Sequence, residues 1–441
     1  MSPVTFQELL VIALGLCFAC GAVVVGLRHP WGATVAAIVS IPAVPVWVGT
    51  AVGPFFLTVH FLLALLAVCA MVRAGQDLPH VHPADLVVAG LPLLALVMTA
   101  TGNTNLNQVF VQVQWLTAYA LGRLAFHTWQ RRRVLSVVGI AFTGAALLML
   151  VEAVTSENLW IRNLGLANSL FTVWGTQQFR AGEVRTEGAF GHSIAAGICL
   201  AMAAVLTLDA RLSQWVRMAC SATMLAAVLT TLSRISMVTG ALGLLFAACL
   251  ARSSLTRRAR GLVLGLLAVG SAVYLWRFSG VLESAGDEGE NSALYRTWIL
   301  DLLPTLRPLG VASSYSRTSA GTNTYGAFRS IDNAFLVFGL ANGWIPMLIL
   351  AALLVGAVVH ALRGRAGVAG VALAAQVPAL LSVALITQYS VMFWMTAGFA
   401  ATEALALNAR TPVRGHGPVG VAAPSPHSAP PARTPVGGLP C

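Results

Sequence analysis

Three arginines and one acid stand where polar loops meet long apolar runs in this sequence, and their types suit one kind of chemistry. Arg185 and His192 lie in VRTEGAFGHSIAAG, Arg234 in TTLSRIS, and Tyr295 with Arg296 in ALYRTWILDLLPTL. Asp332 and Asn333 lie in RSIDNAFLVFGLANGWIP. A guanidinium presents a planar fork of donors that matches a phosphate in bidentate fashion. Fixed cations stabilise charge developing on a departing group, and a carboxylate can take the proton of an attacking hydroxyl. Such a set suits transfer of a group whose leaving group is a lipid phosphate or diphosphate. No DxD-like acidic pair accompanies it, so the expected chemistry uses no metal and no cofactor.

Each residue also has an ordinary role. Arg234 sits at a tip between two apolar runs. A charge near mid-bilayer costs about 2.5–3.5 kcal/mol, so it either faces a cavity or partner or snorkels to the headgroups. His192 and Ser193 would open a helix, close to free N–H groups that favour anions, or simply cap it. Arg296 follows the acids Asp287, Glu288 and Glu290 and could pair with them. Asp332 could cap the helix that starts after it. His80 and His82 in HVHP offer two ligands where a metal needs more.

The segments that must position these residues are almost wholly apolar. Of 441 residues, 57% are hydrophobic and 9% charged, where an ordinary soluble domain has about 25% charged. At a mean hydropathy of +0.80, so few charges cannot coat so much apolar mass in water. A soluble enzyme, a nucleic-acid-binding protein and a coiled coil are excluded. The sequence reads as an all-α, polytopic transmembrane helical bundle. A spanning helix needs about 20 mostly apolar residues. Candidates run near 7–27, 31–49, 54–72, 84–101, 108–127, 134–154, 192–209, 215–232, 235–251, 261–278, 334–361, 367–386 and 390–407. That makes thirteen spans, or twelve if the second, broken by Pro42 and Pro45, is re-entrant.

Arginine sets the orientation. All 26 basic residues are Arg, against 15 acids, for a net charge of +11. Without lysine there is no Schiff base and no Walker-type phosphate loop. Arg28, Arg73, Arg131, Arg132, Arg133, Arg211, Arg217, Arg252, Arg257, Arg258, Arg260, Arg363 and Arg365 fall on one side, which the short-loop bias makes cytoplasmic. The membrane domain covers 1–410, and 411–441, rich in Pro, Gly and Ala, is expected to be a disordered cytoplasmic tail. Two long segments, 155–191 and 279–333, fall on the outer face with Arg162, Arg180, Arg185, Arg296, Arg307, Arg317 and Arg329. Residues 293–306 space Tyr295, Trp298, Ile299, Leu302 and Leu306 as a surface-lying amphipathic helix would. The seven cysteines form no disulfide framework, and no internal repeat of the kind that builds many carriers is visible.

In RTEGAFGHSIAAG (185–197), TLSRIS (231–236), the Tyr-Arg of 295–296 with RPLGVAS (307–313), and DNAFLVFGLANGWIP (332–346), the chain resembles the O-antigen ligase and polysaccharide polymerase family. These are multi-spanning membrane glycosyltransferases that use lipid-linked donors, and the resemblance covers roughly residues 150–360. The last piece is similar to the family pattern of His-Asn, nine residues, then Gly. Asn333 and Gly343 keep that spacing, and Asp332 stands where ligases usually have histidine.

The resemblance implies an undecaprenyl-diphosphate-linked glycan donor, a sugar acceptor, and a site outside the bacterial cytoplasmic (inner) membrane. Arg185, Arg234 and Arg296 would contact the diphosphate, and Asp332 would take the histidine's place near the acceptor. His192, Asn333 and Tyr295 would be further substrate contacts. Asp332 leans the reading toward a polymerase, whose acceptor is another lipid-linked unit, over a ligase serving a lipid or cell-wall acceptor. Membrane lipid, a flippase and a chain-length regulator are the partners such a system implies; nucleic acid is not one. The alternative of another class is a transporter or flippase of lipid-linked sugars. That would need charges lining a path through the bilayer, where Arg123, Glu152 and Glu403 are sparse and near helix ends. A scaffold without catalysis is the third reading.

Overall fold

The computed structural model describes residues 23–75, 77–166, 168–180, 182–251, 255–284, 294–317 and 323–408. Most of the first candidate span, the acids Asp287, Glu288 and Glu290, and the 411–441 tail lie outside the described residues. The described residues are mostly helical, at 71%. Helices α1 (residues 23–28) and α2 (Pro30–Ala43) precede a hairpin of β1 (Gly49–Val52) and β2 (Phe55–Thr58). Then come α3 (Val59–Arg73), α4 (Pro83–Ala100), α5 (Leu106–Thr128) and α6 (Arg131–Thr155). The first long loop holds α7 (Leu159–Asn163), α8 (Ser169–Trp174) and the hairpin β3 (Gln178–Arg180) with β4 (Glu183–Arg185). After α9 (Ser193–Thr207), α10 (Gln214–Thr230), α11 (Arg234–Cys249) and α12 (Arg257–Ser284), the second loop carries α13 (residues 294–300) and the hairpin β5 (Tyr315–Arg317) with β6 (Asn323–Tyr325). The chain then runs through α14 (Ala334–Asn342), α15 (Trp344–Leu362), α16 (Val368–Ala374), α17 (Val377–Leu380) and α18 (Thr387–Asn408).

Among the described residues four helices, α4, α6, α15 and α18, are long and apolar enough to cross a membrane by length and composition. Of the other expected spans, α5 (23 residues) and α12 (28 residues) are long but not among these four, and several more are shorter, for local reasons. The run 54–72 yields its first residues to β2, and α3 starts at Val59, capped by Thr58 accepting from Phe61 N at 3.3 Å. The run 334–361 is two helices, divided at Gly343 with φ of 102°. The amphipathic helix expected over 293–306 is helical at 294–300, and a 3-10 turn at Leu303–Thr305 begins beside Pro304. Ile299 and Leu302 are buried there, but Trp298 points outward. The three hairpins were not expected in an all-α chain; all three lie in connections between helices.

The centre of the fold is α9, of which every residue but Ile194 is buried. Its small side chains permit close approach, the usual basis of helix packing where lipid removes the hydrophobic drive. Small residues also join α5 to α18. A methyl group at Gly122 or at Gly398 would collide with backbone of the facing helix. Beside that contact Phe126 and Phe399 stack at 4.0 Å.

Segments expected on one side of a membrane meet one another. At one end Arg123 forks onto Asp85 with both bonds at 2.8 Å, and Arg131 pairs with Asp209 and Glu403. There His82 and Asp85 cap α4 reciprocally, which accounts for one histidine of HVHP without a metal. At the other end Trp47 donates to Leu164 O at 2.9 Å, Val311 N to Asn103 O at 3.2 Å, and Gln388 to Ala189 O at 2.7 Å.

Candidate functional site

The site residues divide between two centres at this second end, each built from two of the quoted sequence pieces. In the first, the β3–β4 hairpin lies against the turn between α10 and α11. Thr186 N donates to Thr230 O at 3.2 Å, and the two threonine hydroxyls meet at 2.7 Å. Arg185 Nε donates to Thr231 O at 3.1 Å, and Arg180 Nη1 to Leu232 O at the same distance. Leu232 holds a left-handed φ of 51°, a rare state for a side chain with a Cβ. Both guanidiniums thus tie down a strained tip.

That tip presents Arg234. Ser233 caps α11, its Oγ accepting from Ser236 N at 3.3 Å, so Arg234 is the first helical residue. Arg234 lines a cavity of about 360 Å3 between α10, α11 and α12, whose other walls include Leu225, Leu229, Met237, Leu266 and Val269. Its Nη2 is buried, with no hydrogen-bond partner among the described residues. A cation at the edge of a hydrocarbon-lined space is the complement of an amphiphile with an anionic head.

His192 caps α9, Nδ1 accepting from Ile194 N at 3.2 Å, and its ring meets Trp174 edge-on at 5.9 Å. Burial, and secondarily the charge of Arg185, push its pKa down to about 4. The ring is therefore neutral at neutral pH. With Nδ1 accepting, Nε2 carries the proton, so His192 is a donor there and not a base.

The second centre joins α13 to the start of α14. Tyr295 OH donates to Ser330 O, and its ring meets Phe328 edge-on at 5.8 Å. Asn333 is the cap of α14, Oδ1 accepting from Leu336 N at 2.9 Å. Asp332 therefore does not serve as the cap. Its carboxylate takes no hydrogen bond among the described residues. Desolvation holds it above the usual carboxylate range, opposed by the Arg296 guanidinium.

The Asn-to-Gly spacing is the length of one helix. Asn333 starts α14 and Gly343 ends it. The segment of RPLGVAS clamps this helix end: Gly310 N donates to Asn342 O at 2.9 Å, Ala312 N to Leu340 O at 2.8 Å, and Trp344 N to Arg307 O at 2.9 Å. Only glycine fits at 343, because a Cβ there would lie 2.5 Å from Pro308 O and 2.6 Å from Leu309 Cα. Beneath the clamp Gln112 and Gln108 both donate to Asn342 Oδ1. Gln108, Trp115, Tyr325, Arg329, Ser330 and Asn342 line a second cavity of about 360 Å3.

The three arginines and Asp332 thus do not gather around one point. Arg185 and Arg234 share the first centre with His192; Arg296 acts on Asp332 in the second, beside Tyr295 and Asn333. Sequence reasoning passed over Arg180, the amides Gln108, Gln112 and Asn342, and above all Glu187. Glu187 is fully buried, and burial with the nearby Glu152 charge pushes its pKa up to about 9, against the pull of Arg185. The available signal was its place in an otherwise apolar turn directly after Arg185 and Thr186.

No family model matches the chain, and no significant match was found among curated proteins or among solved structures.

Proposed function

We propose that this chain is a cell-surface polysaccharide polymerase of the bacterial inner membrane, a metal-independent glycosyltransferase related to the O-antigen ligase and polymerase family. It would move an undecaprenyl-diphosphate-linked glycan onto a sugar of another lipid-linked unit. In this reading the chain is a bundle of 12–13 spans with its tail in the cytoplasm and both centres on the extracytoplasmic side. The meeting of Asn103 with Val311, and of 180–186 with 230–232, each joining connections expected on the outer face, supports that sidedness.

The observation that carries the proposal is Arg234 at the edge of an apolar cavity, with Arg185 bonded to the same turn. The isoprenoid would lie among Leu225, Leu229 and Leu266, and the diphosphate would meet the guanidiniums. Asp332 would take the proton of an acceptor hydroxyl held near Tyr325, Arg329 and the amides. The oxygen attacks the anomeric carbon as its bond to diphosphate breaks, and the departing lipid diphosphate carries the charge that Arg185 and Arg234 neutralise. Arg296, beside Asp332, would meet that charge from the acceptor side. An aspartate in the histidine's place supports polymerase over ligase.

Polymer made by cells carrying Arg234→Ala and Arg234→Lys tests the reading. Both proteins should reach the membrane at normal levels. The alanine variant should build no polymer, and lysine should be impaired because an ammonium lacks the guanidinium fork. Full-length polymer from the alanine variant would leave Arg234 as a snorkelling residue and remove the main support.

A further inference from the structure

We propose that Glu187 is a proton-holding positioning residue for the arginine centre: as a neutral acid it leaves the Arg185 guanidinium to an anion, and once ionised it would draw that guanidinium inward. The inference rests on the reading that Arg185 meets a diphosphate. Glu187 is 0% exposed, and neither carboxyl oxygen has a hydrogen-bond partner among the described residues. Leaving a buried polar group unpaired is costly, and more so when it is charged, so such a group calls for an explanation.

The neighbouring donors are already taken. Glu152 accepts from Glu187 N at 3.2 Å, Gly188 N at 2.9 Å and Asn158 Nδ2 at 3.1 Å. Two acids therefore share one buried site, and the N–H groups feed only one of them. A like charge at such range disfavours the second ionisation.

The surrounding elements supply little to offset it. The turn Gly188–Phe190 packs on α6, α9, α2 and α7. From α6 comes Glu152, from the α9 cap the neutral His192, and from α7 Arg162, already paired with Glu157. The α2 sequence, PWGATVAAIVSIPA, has no titratable side chain. Arg185 remains the cation that acts on Glu187, and its pull does not overcome burial and Glu152, which leave the acid titrating near 9.

The proton and an anion should therefore bind together. Linkage is reciprocal: if ionised Glu187 weakens anion binding, a bound anion raises the proton affinity of Glu187. For a group with folded pKa near 9, affinity should be level below that pH and fall above it, by at most about tenfold per pH unit.

The test uses the full-length protein in nanodiscs, with farnesyl diphosphate as the probe, titrated calorimetrically from pH 6 to 10. Wild type should bind equally from pH 6 to 8 and lose affinity above about 9. Glu187→Gln, which keeps the shape of the neutral acid, should bind as wild type at pH 7 and stay level to pH 10. Infrared spectra should show a buried carboxylic-acid carbonyl band in wild type at pH 7 that Glu187→Gln lacks. Absence of that band, or the same alkaline loss in Glu187→Gln, overturns the role of Glu187 while diphosphate binding stands. A wild type that shows the band yet binds no diphosphate at any pH overturns the donor reading and this coupling with it.

Discussion

Replacing Asp332 and Asn333 one at a time separates catalysis from capping at adjacent residues. Asn333 holds the free N–H of Leu336 at 2.9 Å, and removing such a cap costs about 0.5–2 kcal/mol. Asn333→Ala should lower stability by about 1 kcal/mol, and Asn333→Asp should change it little, because aspartate caps as well as asparagine. Asp332 takes no hydrogen bond among the described residues and reaches the surface, so Asp332→Asn should alter stability by no more than about 0.5 kcal/mol. Under the proposed function its effect belongs to the rate. A lost general base typically costs about 10²–10⁴-fold, with donor affinity largely kept. Thermal unfolding and glycan transfer on the same purified, detergent-solubilised variants give both numbers. Asp332→Asn transferring at the wild-type rate would remove the base. A clear loss of stability in Asp332→Asn, with none in Asn333→Ala, would refute the assignment of the cap.

Gly343→Ala should be costlier than Gly102→Ala by thermal unfolding. Both have a positive φ, which costs a side chain about 1–3 kcal/mol, but a methyl at 343 also strikes Pro308 and Leu309 while 102 faces open space. His192 is held neutral in the fold, its pKa down from 6.5 to about 4. The unfolded chain binds that proton first, so stability is full above about pH 6.5 and lost as pH falls toward 4. His192→Asn keeps a capping side chain without the titration, and its unfolding temperature should depend less on pH in that window. Cysteines introduced at Thr176 and Ser313, both exposed, should label with a membrane-impermeant reagent in intact cells, and one at Arg363 only after permeabilisation. The native cysteines, of which Cys69 and Cys249 are exposed, are first replaced.

The pairing of the quoted pieces was legible in part. Polar residues at fixed distances from apolar runs marked the tip at Arg234 and the helix start at Asn333, because capping and charge burial are local rules. The partition of arginines marked which connections would meet. The hairpin 49–58 was hidden inside apolar runs, since hydropathy alone does not tell a short buried strand from helix. Gly53-Pro54 was the one local sign of its turn. The division of the site into two centres was not readable, because it depends on which helices pack around α9. Glu187 was hidden for the same reason. In sequence an acid between arginine and glycine looks solvated, and only the packing of α6, α9 and α2 over its turn makes it the most perturbed group of the first centre.

Reconstitution tests the central claim most directly. Purified wild-type protein in nanodiscs, given a defined undecaprenyl-diphosphate-linked repeat unit and no added divalent metal, should lengthen the glycan and release undecaprenyl diphosphate. Product should vanish with Arg234→Ala and drop by about 10²–10⁴-fold with Asp332→Asn. Intact donor after prolonged incubation with folded wild type, or equal product from the Arg234→Ala variant, would contradict the account.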